Sequence, residues 1–338
     1  MRLRIHTFQL PLKHTFSIAH GSRDATPSLI VELSEGVHSG FGEATEIRYY
    51  GVALSEMAER LEALRPVVEA LPLESPEILW DQLQPHLEDA PFLLCALDEA
   101  LHDLFGKVHG APVYELWGLE RATTPRSNYT IGIASVEEMA AKMAEKPWPL
   151  YKIKLGTDHD LEIIEALRAQ TDAVFRIDAN TAWTAEQTIA YAPRLKELGV
   201  EFIEQPLKAE DWEGMKRVYA ESVLPVIADE SCHGEADVAR CYGFFHGVNI
   251  KLMKCGGLTP ARRMAEHARS LGLKVMVGCM TESSVGISAI AQLLPLLDYV
   301  DMDGALLLKE DPAVGVDVRS DGIVFPNRNG TGAALRQS

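Results

Sequence analysis

Tyr151-Lys152-Ile153-Lys154-Leu155-Gly156 is a short run in which apolar and basic residues alternate. On a β-strand, residues i and i+2 leave the same face, so Lys152 and Lys154 point into one space. Taken alone, the pair reads as an edge strand guarded by lysines. The rest of the chain argues against that. From residue 128 onward short apolar strands recur, predicted over 129–133, 151–155, 175–178, 202–204, 226–229, 248–251, 275–278 and 299–302. Their central residues, Ile131, Ile153, Ile177, Ile203, Ile227, Ile250, Met276 and Asp301, follow one another at intervals of 22–26 residues. Amphipathic helical stretches fill most intervals, among them 135–146, 160–170, 185–198 and 260–271. Regular β-α alternation of this count predicts an α/β fold, a barrel of parallel strands ringed by helices. A doubly wound open sheet is the alternative, but it would usually carry a Gly-rich phosphate loop after its first strand, and none is present.

The first third of the chain is organised differently. Residues 3–10 and 28–33 alternate as strands, and 36–42 reads as a hairpin return into a third strand. Residues 17–27, polar and Gly-containing, read as a loop. Helical periodicity covers 55–71 and 91–108, with Ser75 capping a helix between them. Residues 1–125 are therefore expected to form an α+β capping domain, and 126–309 the barrel. No further long helix follows the eighth strand, so the tail 310–338 is expected to return to the cap.

Composition narrows the partners. The 338 residues carry a formal net charge of -17, and no basic patch offsets it. That argues against nucleic acid or an anionic membrane as partner. The longest apolar stretches, such as 287–297, fall short of a membrane span, and no targeting segment is evident. Cys95, Cys232, Cys241, Cys255 and Cys279 are odd in number and scattered, which fits reduced thiols in a cytoplasm. A homo-oligomer is left open.

In such barrels chemistry sits at the C-terminal ends of the strands. Strand 2 ends with Lys152 and Lys154, strand 3 with Asp178, strand 4 with Glu204, strand 5 with Asp229, strand 6 with Lys251, strand 7 with Cys279 to Glu282, and strand 8 with Asp301 and Asp303. Each acid taken singly reads best as a helix cap or a lysine partner. Three on successive strands at one height need a cation between them, and oxygen-only ligands favour Mg2+ or Mn2+. Strands 2 and 6 are opposed in a ring of eight, so Lys154 and Lys251 face each other across the mouth. Lys254 is set aside because it begins the loop after strand 6. A neighbouring ammonium and a divalent cation disfavour the charged form of Lys154, so Lys152 is expected to lower its pKa while touching a substrate carboxylate. A substrate carboxylate on the metal places its α-carbon between the two amines, and the metal stabilises the enediolate left when the α-proton departs. Proton removal on one face and return on the other inverts that carbon. Asp301 and Asp303 would suit an ammonium group some distance away, which makes the ligand a dipeptide.

Together, K-x-K at 152–154, D-A-N at 178–180, E-Q-P at 204–206, D-E-S at 229–231 and N-I-K-L-M-K at 249–254 resemble the enolase superfamily, in its muconate-lactonizing subgroup. With Asp301-Met302-Asp303, the chain looks like a dipeptide epimerase of the L-Ala-D/L-Glu type. The resemblance covers nearly the whole chain, including Gly40-Phe41-Gly42-Glu43. It implies a modified (β/α)7β TIM-like barrel with an α+β cap, and loops near 17–26 and 46–51 closing over the substrate. It also implies that Thr130, Cys279 and Thr281 line the pocket. Glutamate-preferring relatives place an arginine in the first capping loop where this chain has Gly21, with Arg23 two residues later. The second residue of the dipeptide is thus open among glutamate, a hydrophobic residue and, with Asp24 and Glu46 nearby, a cationic one. The rival readings are an o-succinylbenzoate synthase, an N-acylamino acid racemase or a cycloisomerase of the same subgroup and, more remotely, a non-catalytic peptide-binding protein.

Overall fold

The structure is a computed structural model, and it describes residues 1–18, 21–121 and 124–337. The chain opens with an antiparallel sheet, β1 (Arg2–Ile18), β2 (Gly21–Glu35) and β3 (His38–Thr45). Gly36, at φ 59, makes the turn between β2 and β3, a backbone region in which a side chain is strained. Helices α1 (Leu54–Ala70), α2 (Pro76–Leu83), α3 (Pro91–His109) and α4 (Val113–Leu116) follow. The sheet packs chiefly on α3, which is buried on almost every face. Gly40 and Gly42 make that packing close: a Cβ on either would run into the α3 backbone, at Ala100 and Ala96. The acids buried on α3 all find donors. Asp98 accepts from the backbone and hydroxyl of Thr259, Glu99 from the Glu43 amide, and Asp103 from Phe41, Thr331 and Lys107.

The barrel alternates β4 (Tyr129–Ile131), α5 (Val136–Glu145), β5 (Leu150–Lys154), α6 (Asp160–Arg168), β6 (Val174–Asp178), α7 (Ala185–Glu197), β7 (Val200–Glu204), α8 (Trp212–Glu221), β8 (Val226–Ala228), α9 (Glu235–Cys241) and β9 (Gly247–Ile250). It continues with α10 (Leu252–Cys255), α11 (Leu258–Ser270), β10 (Lys274–Gly278), α12 (Ser284–Ala291) and β11 (Tyr299–Asp301). The eight strands from β4 to β11 pair in sequence order and in parallel, and a bridge between Ser127 and Val300 joins the two ends. The helix starts are capped as their sequences suggest. Ser135 and Asp211 accept from the third residue beyond, and Thr184 with Gln187 forms a reciprocal capping box. Ser75 precedes α2 but makes no side-chain cap bond; Pro76 at the first turn sets the start instead.

The predicted loop over 17–27 is corrected. β1 runs on to Ile18 and β2 begins at Gly21, pairing Phe16 with Arg23, Ser17 with Ser22 and Ile18 with Gly21. Cross-strand bonds from Thr15 to Asp24 and between Ser17 and Ser22 pair polar side chains with each other, so a polar stretch can still form a ribbon. Residues 19 and 20 within that stretch lie outside the described residues. The hairpin reaches the barrel mouth, where the Ile133 amide donates to the Ser17 carbonyl at 2.9 Å. The tail supplies β12 (Ala313–Val314), β13 (Asp317–Arg319), β14 (Gly322–Val324) and β15 (Ala334–Leu335). Ala313 and Ala333 pack with Ile30 of the cap and Val285 of the barrel.

Candidate active site

Strand register sets the site. Lys154 of β5 pairs with Asp178 of β6, and Asp178 with Glu204 of β7, so these side chains emerge at one level. Asp229 follows directly on β8, and Lys251 directly on β9. Ligand atoms of Asp178, Glu204 and Asp229 lie within 4.8 Å of one another, and all three side chains are buried. Lys154 Nζ donates to Asp178 Oδ2 at 2.6 Å. Across the ring, Lys251 Nζ sits 2.8 Å from Asp229 Oδ2. Glu204 lies between, in contact with Lys152 at 2.9 Å and accepting from Asn249 at 2.8 Å.

Charge is crowded here. Burial opposes ionisation of Asp178 and Asp229, but the facing lysines outweigh it and hold both carboxyls below the ordinary range. Glu204 is pushed up to about 7 by burial and by the negative charge of Asp178, with Lys152 pulling the other way. Glu204 Oε2 and Asp229 Oδ2 are buried, and what they meet is an ammonium each, Lys152 at 2.9 Å and Lys251 at 2.8 Å. Three buried carboxylates within 4.8 Å of one another, with no sulfur or nitrogen donor among them, fit a hard divalent cation.

Lys152, which lines the cleft, is also tied into the carboxylates around it. It is 1% exposed, with Nζ 2.8 Å from Asp301, 2.9 Å from Glu204 and 3.1 Å from Asp178. Burial works against its charge, but those acids hold its pKa well above the ordinary lysine value. Its ammonium therefore serves chiefly as counter-ion to three carboxylates. Lys251 is likewise held up, by Asp229 against the effect of burial. Lys254 is corrected too. It lies in α10 rather than a loop, and its Nζ binds the carboxylate and backbone carbonyl of Asp229 and the carbonyl of Cys232. That places it behind Asp229, while Lys251 lines the cleft.

On the closing side of the barrel, Asp301 accepts from Asn128 at 2.7 Å and Asp303 accepts from the Thr130 amide at 2.6 Å and hydroxyl at 3.1 Å. Asp301 is held near 2, burial opposing and Lys152 prevailing, whereas burial and the adjacent Asp301 raise Asp303 well above the ordinary range. Cys279 and Thr281 line the same cleft, with Phe16, Ile18 and Arg23 of the hairpin above. Arg23 donates to the Thr281 hydroxyl at 2.8 Å, and its Nε is buried without a hydrogen-bond partner. The turn 48–50 contributes Tyr49 and Tyr50, and Tyr50 packs against Phe92 and His233.

Several participants are absent from the sequence expectation. Gln205 and Asn180 have φ values of 32 and 45, a strained region for residues with side chains. Gln205 spends its amide locking the next strand: its oxygen accepts from the backbones of Asp229 and Ser231, and its nitrogen donates to Leu207 and Ser231. Glu230, beside Asp229, lines the cleft with Oε2 buried and unpaired. The motifs D-A-N, E-Q-P and D-E-S contain these residues, but only their position beside a ligand hints at such work.

Two family models cover almost the whole chain: the mandelate racemase / muconate lactonizing enzyme N-terminal domain over 2–118, and the enolase C-terminal domain-like model over 134–338. A protein of Flavobacterium johnsoniae named L-Ala-D/L-amino acid epimerase is 56% identical over 335 residues, covering 99% of this chain and 100% of its own. Among solved structures, a substrate-liganded L-Ala-D/L-Glu epimerase from Bacillus subtilis superposes with a TM-score of 0.93 at 28% identity, covering 99% of each chain. A dipeptide epimerase from Enterococcus faecalis, complexed with Mg and L-Leu-L-Tyr, gives 0.90 at 29% identity, covering 98% of this chain and 99% of that one. The chain belongs to the enolase superfamily, in its mandelate racemase / muconate lactonizing enzyme family.

Proposed function

We propose that the protein is an isomerase, a dipeptide epimerase that inverts the α-carbon of the second residue of an L-Ala-Xaa dipeptide. The observation that carries this reading is the placement of Lys154 and Lys251 on opposite sides of one cleft, each ion-paired to a different member of one carboxylate cluster. Asp178, Glu204 and Asp229 would hold Mg2+ or Mn2+. When bound, the metal offsets the negative charge that builds on the substrate carboxylate as the α-proton leaves. A bound metal would also compete with Lys154 and Lys251 for Asp178 and Asp229, the carboxylates with which these amines are ion-paired. One lysine, as the free amine, takes the α-proton from one face. The other, as ammonium, returns a proton to the opposite face, and the configuration inverts. Asp301 and Asp303 receive the alanine ammonium, and Thr130 and Asn128 keep their carboxylates turned to it. The scattered free cysteines support a reducing compartment, the cytoplasm, as the setting of the reaction.

The second residue lies under the hairpin and the turn 48–50. Arg23 there has no acid partner among the described residues, and burial lowers its pKa. An unpaired guanidinium favours an acidic side chain such as glutamate, while Phe16, Ile18 and Ile47 offer an apolar wall to a hydrophobic one. A synthase, racemase or cycloisomerase acting on a substrate without an ammonium group has no use for the Asp301–Asp303 pair. The test is deuterium incorporation from D2O into a panel of L-Ala dipeptides, read by mass spectrometry and polarimetry. Exchange with L-Ala-L-Glu or L-Ala-hydrophobic dipeptides is expected. Absence of exchange across the panel would sink the proposal, and undiminished turnover in Asp301→Asn and Asp303→Asn would favour the rival reactions.

A further inference from the structure

The cleft presents a second group of ligand atoms. Cys279, Asp301 and Asp303 each place one donor within 4.8 Å of the others, the same limit that the Asp178, Glu204 and Asp229 cluster meets. The two groups differ in kind. One is oxygen only, which suits magnesium; the other adds a sulfur, and thiolate sulfur favours zinc-class cations. Asp301 and Asp303 are 5% and 1% exposed and are oriented by Asn128 and Thr130, so their positions are fixed before any ligand arrives. Gly304 packs beside the Cys279 sulfur. Gly304 also leaves that sulfur room, since a Cβ there would meet it at 3.3 Å and collide with the Met280 carbonyl. Among the described residues, Cys279 is the one cysteine that lines this cleft.

We propose that this notch binds a thiophilic divalent cation such as Zn2+, through Cys279 Sγ and one oxygen each from Asp301 and Asp303. Occupancy excludes substrate, because the ion takes the two carboxylates that dock the dipeptide ammonium. That exclusion rests on the epimerase reading; the binding itself does not. The thiol proton leaves to solvent as the metal–sulfur bond forms. Lys152 Nζ, 2.8 Å from Asp301 Oδ2, repels a further cation, so the ion sits toward Cys279 and Asp303 and binds reversibly. The cleft then has two metal addresses of different softness: magnesium at one supports turnover, and zinc at the other blocks it.

The probe is Co2+, added to the full-length protein in saturating Mg2+. A cobalt–thiolate bond gives a near-ultraviolet charge-transfer band that oxygen ligands do not. The band should saturate at one ion per chain, vanish in Cys279→Ser and bleach on addition of L-Ala-L-Glu. In Asp303→Asn, which keeps the thiol, cobalt affinity should fall by at least the roughly 10–100-fold that loss of a supporting partner costs. Zn2+ should inhibit α-proton exchange competitively with dipeptide, and excess Mg2+ should not relieve it. A thiolate band that survives in a Cys279→Ser protein with an unchanged melt overturns the proposal. So does cobalt binding without such a band, or inhibition that magnesium reverses. The expected band without turnover of any dipeptide would leave the cation site standing and sink the epimerase reading. Turnover without the band would do the reverse.

Discussion

At the scale of single residues, the site is a balance of charge. Lys154→Ala and Lys251→Ala should each abolish epimerisation, with kcat lowered by at least the ~10²–10⁴-fold typical of a lost acid–base group. Each variant should lose solvent exchange from one stereoisomer only, read by NMR on separate L-Ala-L-Glu and L-Ala-D-Glu samples. Loss of exchange from both isomers in either variant would contradict the division of faces. Glu204, held near 7 by burial and by Asp178, sets a pH limit. Below that pH a cation must displace a proton from it, so Mg2+ affinity measured by calorimetry should weaken as pH falls through about 7. A flat profile from pH ~8 to ~5 would show that the cluster is already fully ionised. The acids and opposed lysines were legible because each ends a strand at a fixed period. Lys254, Gln205 and Asn249 were not, because their work depends on which neighbour they reach across the ring, and spacing along the chain does not report that.

Among elements, α3 and the sheet it supports carry the most strain-sensitive packing. Gly42→Ala would press a methyl group into the Ala96 carbonyl. That overpacking should cost about 1–3 kcal/mol in chemical denaturation, and a variant as stable as the wild type would refute the close approach. Glu99 on the same helix is pushed up to about 8 by burial, with the Glu43 amide opposing. A carboxyl whose folded pKa exceeds its unfolded one favours the fold at low pH, and that contribution is lost as pH rises through the folded value. The melting temperature should therefore decline between about pH 5 and pH 9, and Glu99→Gln, which mimics the neutral acid, should flatten the decline. An unchanged slope would mean that Glu99 does not titrate in this window. The periodicity of 91–108 located α3 but gave no hint of its acids being buried, since Asp98, Glu99 and Asp103 look solvent-facing until the cap and barrel supply donors. The polar hairpin was misread for a related reason: cross-strand pairing of Ser17 with Ser22 is invisible to hydrophobic alternation.

For the whole molecule, cap and barrel meet at the site and hold each other there. Glu43 of β3 accepts from the Ser283 backbone and hydroxyl and from the Gly286 amide, at the start of α12. Magnesium binding should add stability to the assembled protein, by about 2.7 kcal/mol at a hundredfold excess over its Kd. Thermal melts with and without EDTA measure this, and an Asp229→Asn protein should show little of the shift. The barrel, its order and the end at which charged side chains gather were readable from eight evenly spaced strands, whereas the reach of the hairpin over the mouth depends on contacts between segments distant in sequence. One consequence follows from the two separately paired lysines. If each turnover moves a proton from one side of the cleft to the other, the product leaves behind an enzyme primed for the reverse direction. The free protein then has a short-lived memory of the last stereoisomer it released, and must exchange protons with water before it can accept the first isomer again. At high substrate concentration this resetting, rather than carbon chemistry, would limit the rate, and an excess of unlabelled substrate would push labelled product back across the equilibrium.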